Sequence, residues 1–248
     1  MRIGVLKTGN VNAALAPEHG EYPDMFAALL GAVDPALSFF TVDVVGGEMP
    51  GAVDAADGWI VTGSRHGAYD DLPWIAPLKE FLRAAVAARV PVIGVCFGHQ
   101  VLAEALGGRV EKFDGGWALG VEAYESVASP GWMGALAEGW RGHAVHQDQV
   151  VALPPEATVL ARSPFCAYAA LAYGDPERPG AISVQPHPEF SADFVGGLID
   201  ARLGRIVEED RVDAARATLG APVDNAEWAA AMVRFLRAAQ DAGAAHEA

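Results

Sequence analysis

The 248 residues carry a formal net charge of −15, are 52% hydrophobic and include only two cysteines, Cys96 and Cys166. A chain of that size buries an ample core as one α/β domain with a small appendage, and its acidity argues against nucleic acid or an anionic membrane as a partner, because both call for basic patches. No apolar run approaches the ~20 residues that span a bilayer, the N-terminus has no signal-peptide layout, and two cysteines make no disulfide framework, so a reducing cytoplasm is the expected location.

In chain order, residues 2–7 read as a strand, 22–33 as a helix with one apolar side, and 38–45 as a strand rich in β-branched residues. Residues 58–62 read as a short buried strand, 74–88 as a helix, 91–95 as a strand and 98–106 as the helix that follows it. This alternation predicts an α/β fold: a doubly wound, mostly parallel sheet with helices on both faces. Ligands then bind at the carboxyl ends of the strands. From 109 to 184 short strands separated by Gly and Pro turns take over, the clearest at 121–127, 143–146, 158–161 and 167–173, and they predict an antiparallel extension. Cys166 falls in an apolar, strand-like run and reads as structural. Ser191 caps a predicted helix over 191–203.

Residues 1–203 form the predicted main domain, and 204–248 a helical extension packed on it. The extension holds two helical stretches, 208–219 and 225–242, separated by Pro222, with Asp224 as the cap of the second. Trp228, Met232, Phe235 and Leu236 recur at helical spacing; packing on the main domain is the favoured use of that face and an oligomer contact the alternative. His246 falls in a terminus expected to fray. Gly46-Gly47 and Gly115-Gly116 lack the strand–GxGxxG–helix layout and read as turns. Asp70-Asp71 reads as a cap for the helix near Pro73. Trp117 and Tyr124 could line a pocket, although aromatics in strands mostly serve the core.

Two segments carry chemistry. In Pro91-Val92-Ile93-Gly94-Val95-Cys96-Phe97-Gly98-His99-Gln100 an apolar strand runs into Gly-x-Cys-x-Gly and then a helix, the layout of a nucleophile elbow. Gly94 and Gly98 leave room for a tight turn and for close packing of helix on strand. The helix that follows aims its positive end at Cys96 and favours a thiolate there. A buried cysteine at a strand end is the plainer reading, and it does not account for two flanking glycines. In Ala181-Ile182-Ser183-Val184-Gln185-Pro186-His187-Pro188-Glu189 a short strand ends in a stiff hook, because each proline pushes the residue before it toward extended geometry. Residues two apart in an extended segment point the same way, which sets His187 beside Glu189. An imidazole oriented by a carboxylate is the arrangement that takes a proton from a thiol.

Gly-Val-Cys-Phe-Gly-His-Gln with a later Gln-Pro-His-Pro-Glu-Phe resembles the class I glutamine amidotransferase family, over roughly three quarters of the chain, with a flavodoxin-like fold implied. In that family a cysteine attacks the γ-carboxamide of glutamine, ammonia leaves, and water hydrolyses a γ-glutamyl thioester. By position the resemblance makes Cys96 the nucleophile, His187 the base and Glu189 its orienting carboxylate. It makes the backbone amides of Phe97 and Gly63 the oxyanion hole, a pair of preset donors worth about 3 kcal/mol each in the transition state. It assigns Gln100 to substrate binding, together with Val145 and His146 in His143-Ala144-Val145-His146-Gln147-Asp148-Gln149-Val150. No cofactor is implied. His143, His146 and Asp148 are also possible metal ligands, but no further ligand cluster accompanies them, so no metal is expected.

Two departures from the family pattern bear on function. Many members have a proline after the oxyanion glycine, where this chain has Ser64-Arg65-His66, which leaves room for a different acceptor or a larger γ-glutamyl substrate. Members usually pass ammonia to a synthase, and 248 residues leave no room for a fused one. The resemblance therefore implies glutamine or a γ-glutamyl small molecule as substrate. Either a separate synthase subunit serves as partner or the chain is a self-sufficient γ-glutamyl hydrolase, like the stand-alone branch related to γ-glutamyl peptidases. A non-catalytic or redox/chaperone-like module on the same fold is the alternative from another class, and the intact His187–Glu189 hook argues against it.

Overall fold

The computed structural model describes residues 1–201 and 203–244; His246 lies outside them. The first half of the chain runs β1 (Arg2–Leu6), α1 (Ala16–His19), α2 (Tyr22–Gly31), β2 (Ser38–Val42), β3 (Gly58–Val61), α3 (Ile75–Ala87), β4 (Val92–Val95) and α4 (Phe97–Ala105). The second half adds β5 (Arg109–Lys112), β6 (Ala118–Ser126), β7 (Trp140–His146), β8 (Asp148–Ala152), β9 (Ala157–Arg162), β10 (Ala170–Tyr173) and β11 (Ala181–Val184). Three helices follow, α5 (Ala192–Ala201), α6 (Glu209–Thr218) and α7 (Asn225–Ala244).

The main sheet has the order β2-β1-β3-β4-β11-β10-β9-β6-β7, and β5 pairs with β8 in a separate ribbon. From β2 to β11 the pairings are parallel; from β11 to β7 they are antiparallel. Strands buried on both faces read as continuous apolar runs, and β3 (Gly-Trp-Ile-Val) and β4 (Val-Ile-Gly-Val) are buried at every position. Alternation sorts their side chains. Trp59 and Val61 pack with Leu78 and Leu82 of α3 and Leu102 of α4. Ile60 and Ile93 turn to the other face, against Phe26 and Leu30 of α2 and Met232 and Leu236 of α7. Helix α3 presents Ile75, Leu78, Leu82 and Ala85 along one stripe, the spacing that lets a helix lie on a sheet.

The register sets the carboxyl ends of the central strands side by side: Leu6 opposite Val61, Val61 opposite Gly94, and Val95 opposite Val184. Thr8, Gly63, Cys96 and His187 follow those four ends, so one edge of the sheet gathers segments remote in sequence. Helix α7 lies along the α2 face with Trp228, Met232, Phe235 and Leu236 buried. Among the described residues no helix is long and apolar enough to cross a membrane.

Two local expectations need correction. Cys166 is not in a strand: it sits in the turn between β9 and β10, where its amide bonds the Ser163 hydroxyl and its carbonyl accepts the Ser163 N–H. Asp70 does not cap α3, whose N-cap is Trp74 with no side-chain bond; the Asp70 carboxylate closes the turn at Gly67 instead, at 3.0 Å. Asp224 does stand at the N-cap of α7, its carbonyl accepting the Trp228 N–H at 3.0 Å, while its carboxylate accepts the Arg141 N–H at 2.7 Å and ties the start of the helix to β7. Ser191 does cap α5, accepting the Phe194 N–H at 3.1 Å.

Candidate active site

The elbow is built by exclusion of side chains. A Cβ on Gly94 would stand 2.5 Å from the Gly98 carbonyl oxygen, and one on Gly98 would stand 2.3 Å from the Val61 carbonyl oxygen. Only glycine lets α4 descend that close to β3 and β4. Between them Cys96 takes φ 53°, ψ −103°, a left-handed backbone that non-glycine residues rarely hold. The strain is held from both sides: the Cys96 N–H donates to Val184 O at 2.9 Å, and its carbonyl accepts the Gln100 N–H at 3.0 Å. The thiol projects toward the end of β7, its Sγ 4.0 Å from the Val145 carbonyl oxygen. Phe97 is the first residue of α4, and amides of a first turn have no partner within the helix.

Gly63 is set by a buried threonine clasp. Thr8 N donates to Thr62 Oγ1 at 3.0 Å and Thr8 Oγ1 donates to Thr62 O at 2.9 Å, which sews the ends of β1 and β3 together. A Cβ on Gly63 would come 3.0 Å from His187 Cε1, so the glycine also makes room for the imidazole.

His187 leaves the sheet in a bridge to β7, its N–H donating to His143 O at 2.8 Å. Its Nδ1–H donates to Glu189 Oε1 at 2.7 Å, with both side chains buried. Burial opposes the imidazolium, but the charges of a Cys96 thiolate and the Glu189 carboxylate, with their hydrogen bonds, outweigh it and raise His187 to about 10. The imidazolium is therefore the favoured form of His187 at neutral pH. Three other buried histidines go the opposite way. Burial holds His99 down to about 3, with His146 adding to it. It holds His146 down to about 3 against the help of its bond to Asp148 O, and His143 down to about 4, with His187 adding to it. These three rings stay neutral.

Gln100 points from α4 toward β8, its Nε2 donating to Asp148 O at 2.8 Å and to Gln185 Oε1 at 3.2 Å. His146 turns its Nδ1–H to Asp148 O at 3.2 Å, and its Nε2 is buried without a partner. Tyr69, half exposed, sets its hydroxyl beside the Asp148 carboxylate. Among the described residues no three His, Cys, Asp or Glu side chains group as a metal site. The edge thus brings Cys96, His187, Glu189, Gly63, Phe97 and Val145 into one centre, with Gln100 and His146 along its β8 side.

Residues 50–196 match the family model of glutamine amidotransferase class-I, a span that holds both the elbow and the hook. The chain belongs to that family. Gamma-glutamyl peptidase 5 of Arabidopsis thaliana is 28% identical over 88% of each chain. A glutamine-hydrolyzing GMP synthase subunit of Halobacterium salinarum is 35% identical over 70% of this chain and 86% of its own. In fold the chain resembles a glutamine amidotransferase from Methylobacillus flagellatus, with a TM-score of 0.74, 24% identity and coverage of 96% and 94%. It also resembles one from Thermotoga maritima, with a TM-score of 0.73, 19% identity and coverage of 97% and 98%.

Within this amidotransferase centre four groups went unread in sequence. Thr8 and Thr62 were legible as hydroxyls ending apolar strands, and a buried hydroxyl there must find a partner. Ser183 bonds His99 Nδ1 at 2.7 Å and the Tyr173 hydroxyl at 3.0 Å beneath the elbow. Phe190 stacks on the His187 ring at 3.9 Å; it closes the hook motif, but nothing in its spacing says which ring it covers.

Proposed function

We propose that this chain is a self-sufficient γ-glutamyl hydrolase of the cytoplasm. Cys96 gives its thiol proton to His187 as its Sγ attacks the γ-carbonyl carbon of a glutamine-like substrate, and the carbonyl electron pair moves to oxygen. Gly63 and Phe97 N–H groups receive that oxyanion. The His187 imidazolium gives its proton to the leaving nitrogen as the C–N bond breaks, which leaves a γ-glutamyl thioester and a free amine. Water, losing a proton to His187, then cleaves the thioester to glutamate and restores the thiol. Glu189 holds the imidazole in the tautomer that faces the sulfur. Gln100, Val145 and His146 receive the amino-acid end of the substrate.

The observation that carries this reading is the buried His187–Glu189 pair at 2.7 Å beside a cysteine in a left-handed elbow. Neutral His146, with an unpartnered Nε2, suits a polar substrate end better than a cation would. Gamma-glutamyl peptidases matched over 88% of this chain support a hydrolase that works alone. The resemblance to a component of a GMP synthase supports a second version, in which the released ammonia passes to a separate synthase.

The test is amine or ammonia release by the purified chain from glutamine, γ-glutamyl dipeptides, glutathione and γ-glutamyl alkylamines, with Cys96→Ala as the blank. Fast Cys96-dependent turnover of one larger γ-glutamyl compound is expected. Slow glutaminase activity alone would favour the synthase-dependent version, and turnover surviving in Cys96→Ala would remove both.

A further inference from the structure

We propose that Phe190 and Asn225 are positioning residues for the His187 imidazole, so that the C-terminal helix α7 takes part in setting the reactivity of the site. The proposal rests on His187 being the group that exchanges a proton with Cys96 and the leaving nitrogen.

The His187 and Phe190 rings lie 3.9 Å apart between centroids and within 5° of parallel. Neutral aromatic pairs favour edge-to-face or well-offset packing, because two negative faces repel. A cation against an aromatic face is attracted, most strongly where water is excluded. Both residues are buried, so this close parallel contact suits an imidazolium. It also fixes the plane in which the second ring nitrogen, the one not bonded to Glu189, can meet sulfur or substrate.

Phe190 is itself held. Phe194 meets it edge-on at 4.6 Å, and Tyr22 stacks on it at 6.0 Å. Its carbonyl accepts Asn225 Nδ2 at 2.8 Å, across 35 residues of chain. Asn225 is the first residue of α7, and the residue before it is locked to β7: Asp224 N donates to Arg141 O at 2.9 Å, and Arg141 N donates to the Asp224 carboxylate. The same strand receives the His187 N–H at His143 O. The hook is therefore clamped at both ends to β7, once directly and once through Asp224, Asn225 and Phe190. Helix α7 lies outside residues 50–196, so this second clamp is an addition to the span that the family model matches.

The titratable groups that face His187 are Cys96 from the elbow, Glu189 from the hook, and His143 and His146 from β7. Neither Phe190 nor Asn225 adds a charge, so substitutions there act on His187 through geometry and ring contact.

The experiment compares Phe190→Leu, Phe190→Tyr and Asn225→Ala with the unaltered chain, using glutamine turnover across pH and the titration of ¹⁵N-labelled His187. Phe190→Leu should lower kcat about thirtyfold, the size of one desolvated cation–π contact, with KM within about twofold. The loss of activity at high pH and the His187 titration should both move to lower pH. Phe190→Tyr should restore both, and Asn225→Ala should move them the same way by less. An unshifted His187 titration in Phe190→Leu and Asn225→Ala would overturn the proposal, and that readout needs no turnover. His187→Ala separates the two failures: turnover that survives without His187 removes the functional reading, and this proposal with it. A His187-dependent enzyme indifferent to Phe190→Leu and Asn225→Ala removes this proposal alone.

Discussion

Gly98 approaches Val61 so closely that a methyl group on the glycine would stand 2.3 Å from the valine carbonyl oxygen. The obstructing atom is backbone in the middle of the sheet, so no rotamer relieves it. Gly98→Ala must lift α4 off β3 and release the backbone that forces Cys96 to φ 53°. Overpacking of this kind costs about 1–3 kcal/mol and at times more. The expected outcome is a lower thermal midpoint together with loss of Cys96 labelling by a glutamine-mimicking electrophile. Normal labelling in a destabilised Gly98→Ala protein would mean that the elbow holds its strain without this packing.

Replacing Glu189 by Gln keeps the size of the side chain bonded to His187 Nδ1 and removes its charge. Glu189 is one of the groups that raise His187 to about 10. Without that charge the His187 imidazolium gives up its proton at a lower pH, so the variant should lose activity at a lower pH than the unaltered chain. The rate at neutral pH should fall by roughly 10²–10⁴, as for the matching carboxylate of other triads. A pH–rate profile whose upper limb stays in place would show that Glu189 does not tune the imidazole.

The elbow and hook were legible because each is local: glycines at fixed offsets, prolines on either side of a histidine, and an apolar strand before each. The parallel half of the sheet was legible for the same reason, since β3 and β4 are short apolar runs with helices at regular intervals. What depended on a distant partner was not. The β5–β8 ribbon joins Arg109–Lys112 to Asp148–Ala152, and neither stretch alternates apolar and polar residues along its whole length. The threonine clasp spans 54 residues and the Asn225–Phe190 bond 35, distances at which spacing carries no information. Asp70 was assigned to a helix end by proximity in sequence, and the fold offered its carboxylate the Gly67 amide first.

Three buried histidines predict an acid limit to stability. The folded chain holds His99 and His146 near 3 and His143 near 4, whereas the unfolded chain protonates its histidines near 6.5. Below 6.5 the unfolded state binds protons that the folded state refuses, so stability falls with pH until the folded values are reached. Each histidine contributes on the order of 1 kcal/mol per pH unit. The raised carboxyl groups of Asp148 and Glu122 act in the opposite direction and soften the slope. Urea midpoints measured at pH 7, 6 and 5 should decline, and a flat series would mean that these rings reach solvent before the chain unfolds.

We propose that α7 belongs to the same cooperative unit as the sheet. Trp228, Met232, Phe235 and Leu236 share one buried cluster with Ile3, Leu30, Ile60 and Ile93, so removal of the helix would bare the α2 face of the central strands. Its Arg237 guanidinium also binds the Asp34 carboxylate beyond the end of α2, with Nε at 2.9 Å. Loss of one large core side chain costs about 2–5 kcal/mol, and four vanish together in a chain ended before Asn225. The truncated protein should fail to give a cooperative melt, and Leu236→Ala in the full chain should lower stability by about 2–5 kcal/mol. A truncated chain that melts cooperatively and binds no apolar dye would separate α7 from the domain and return its apolar face to the oligomer contact.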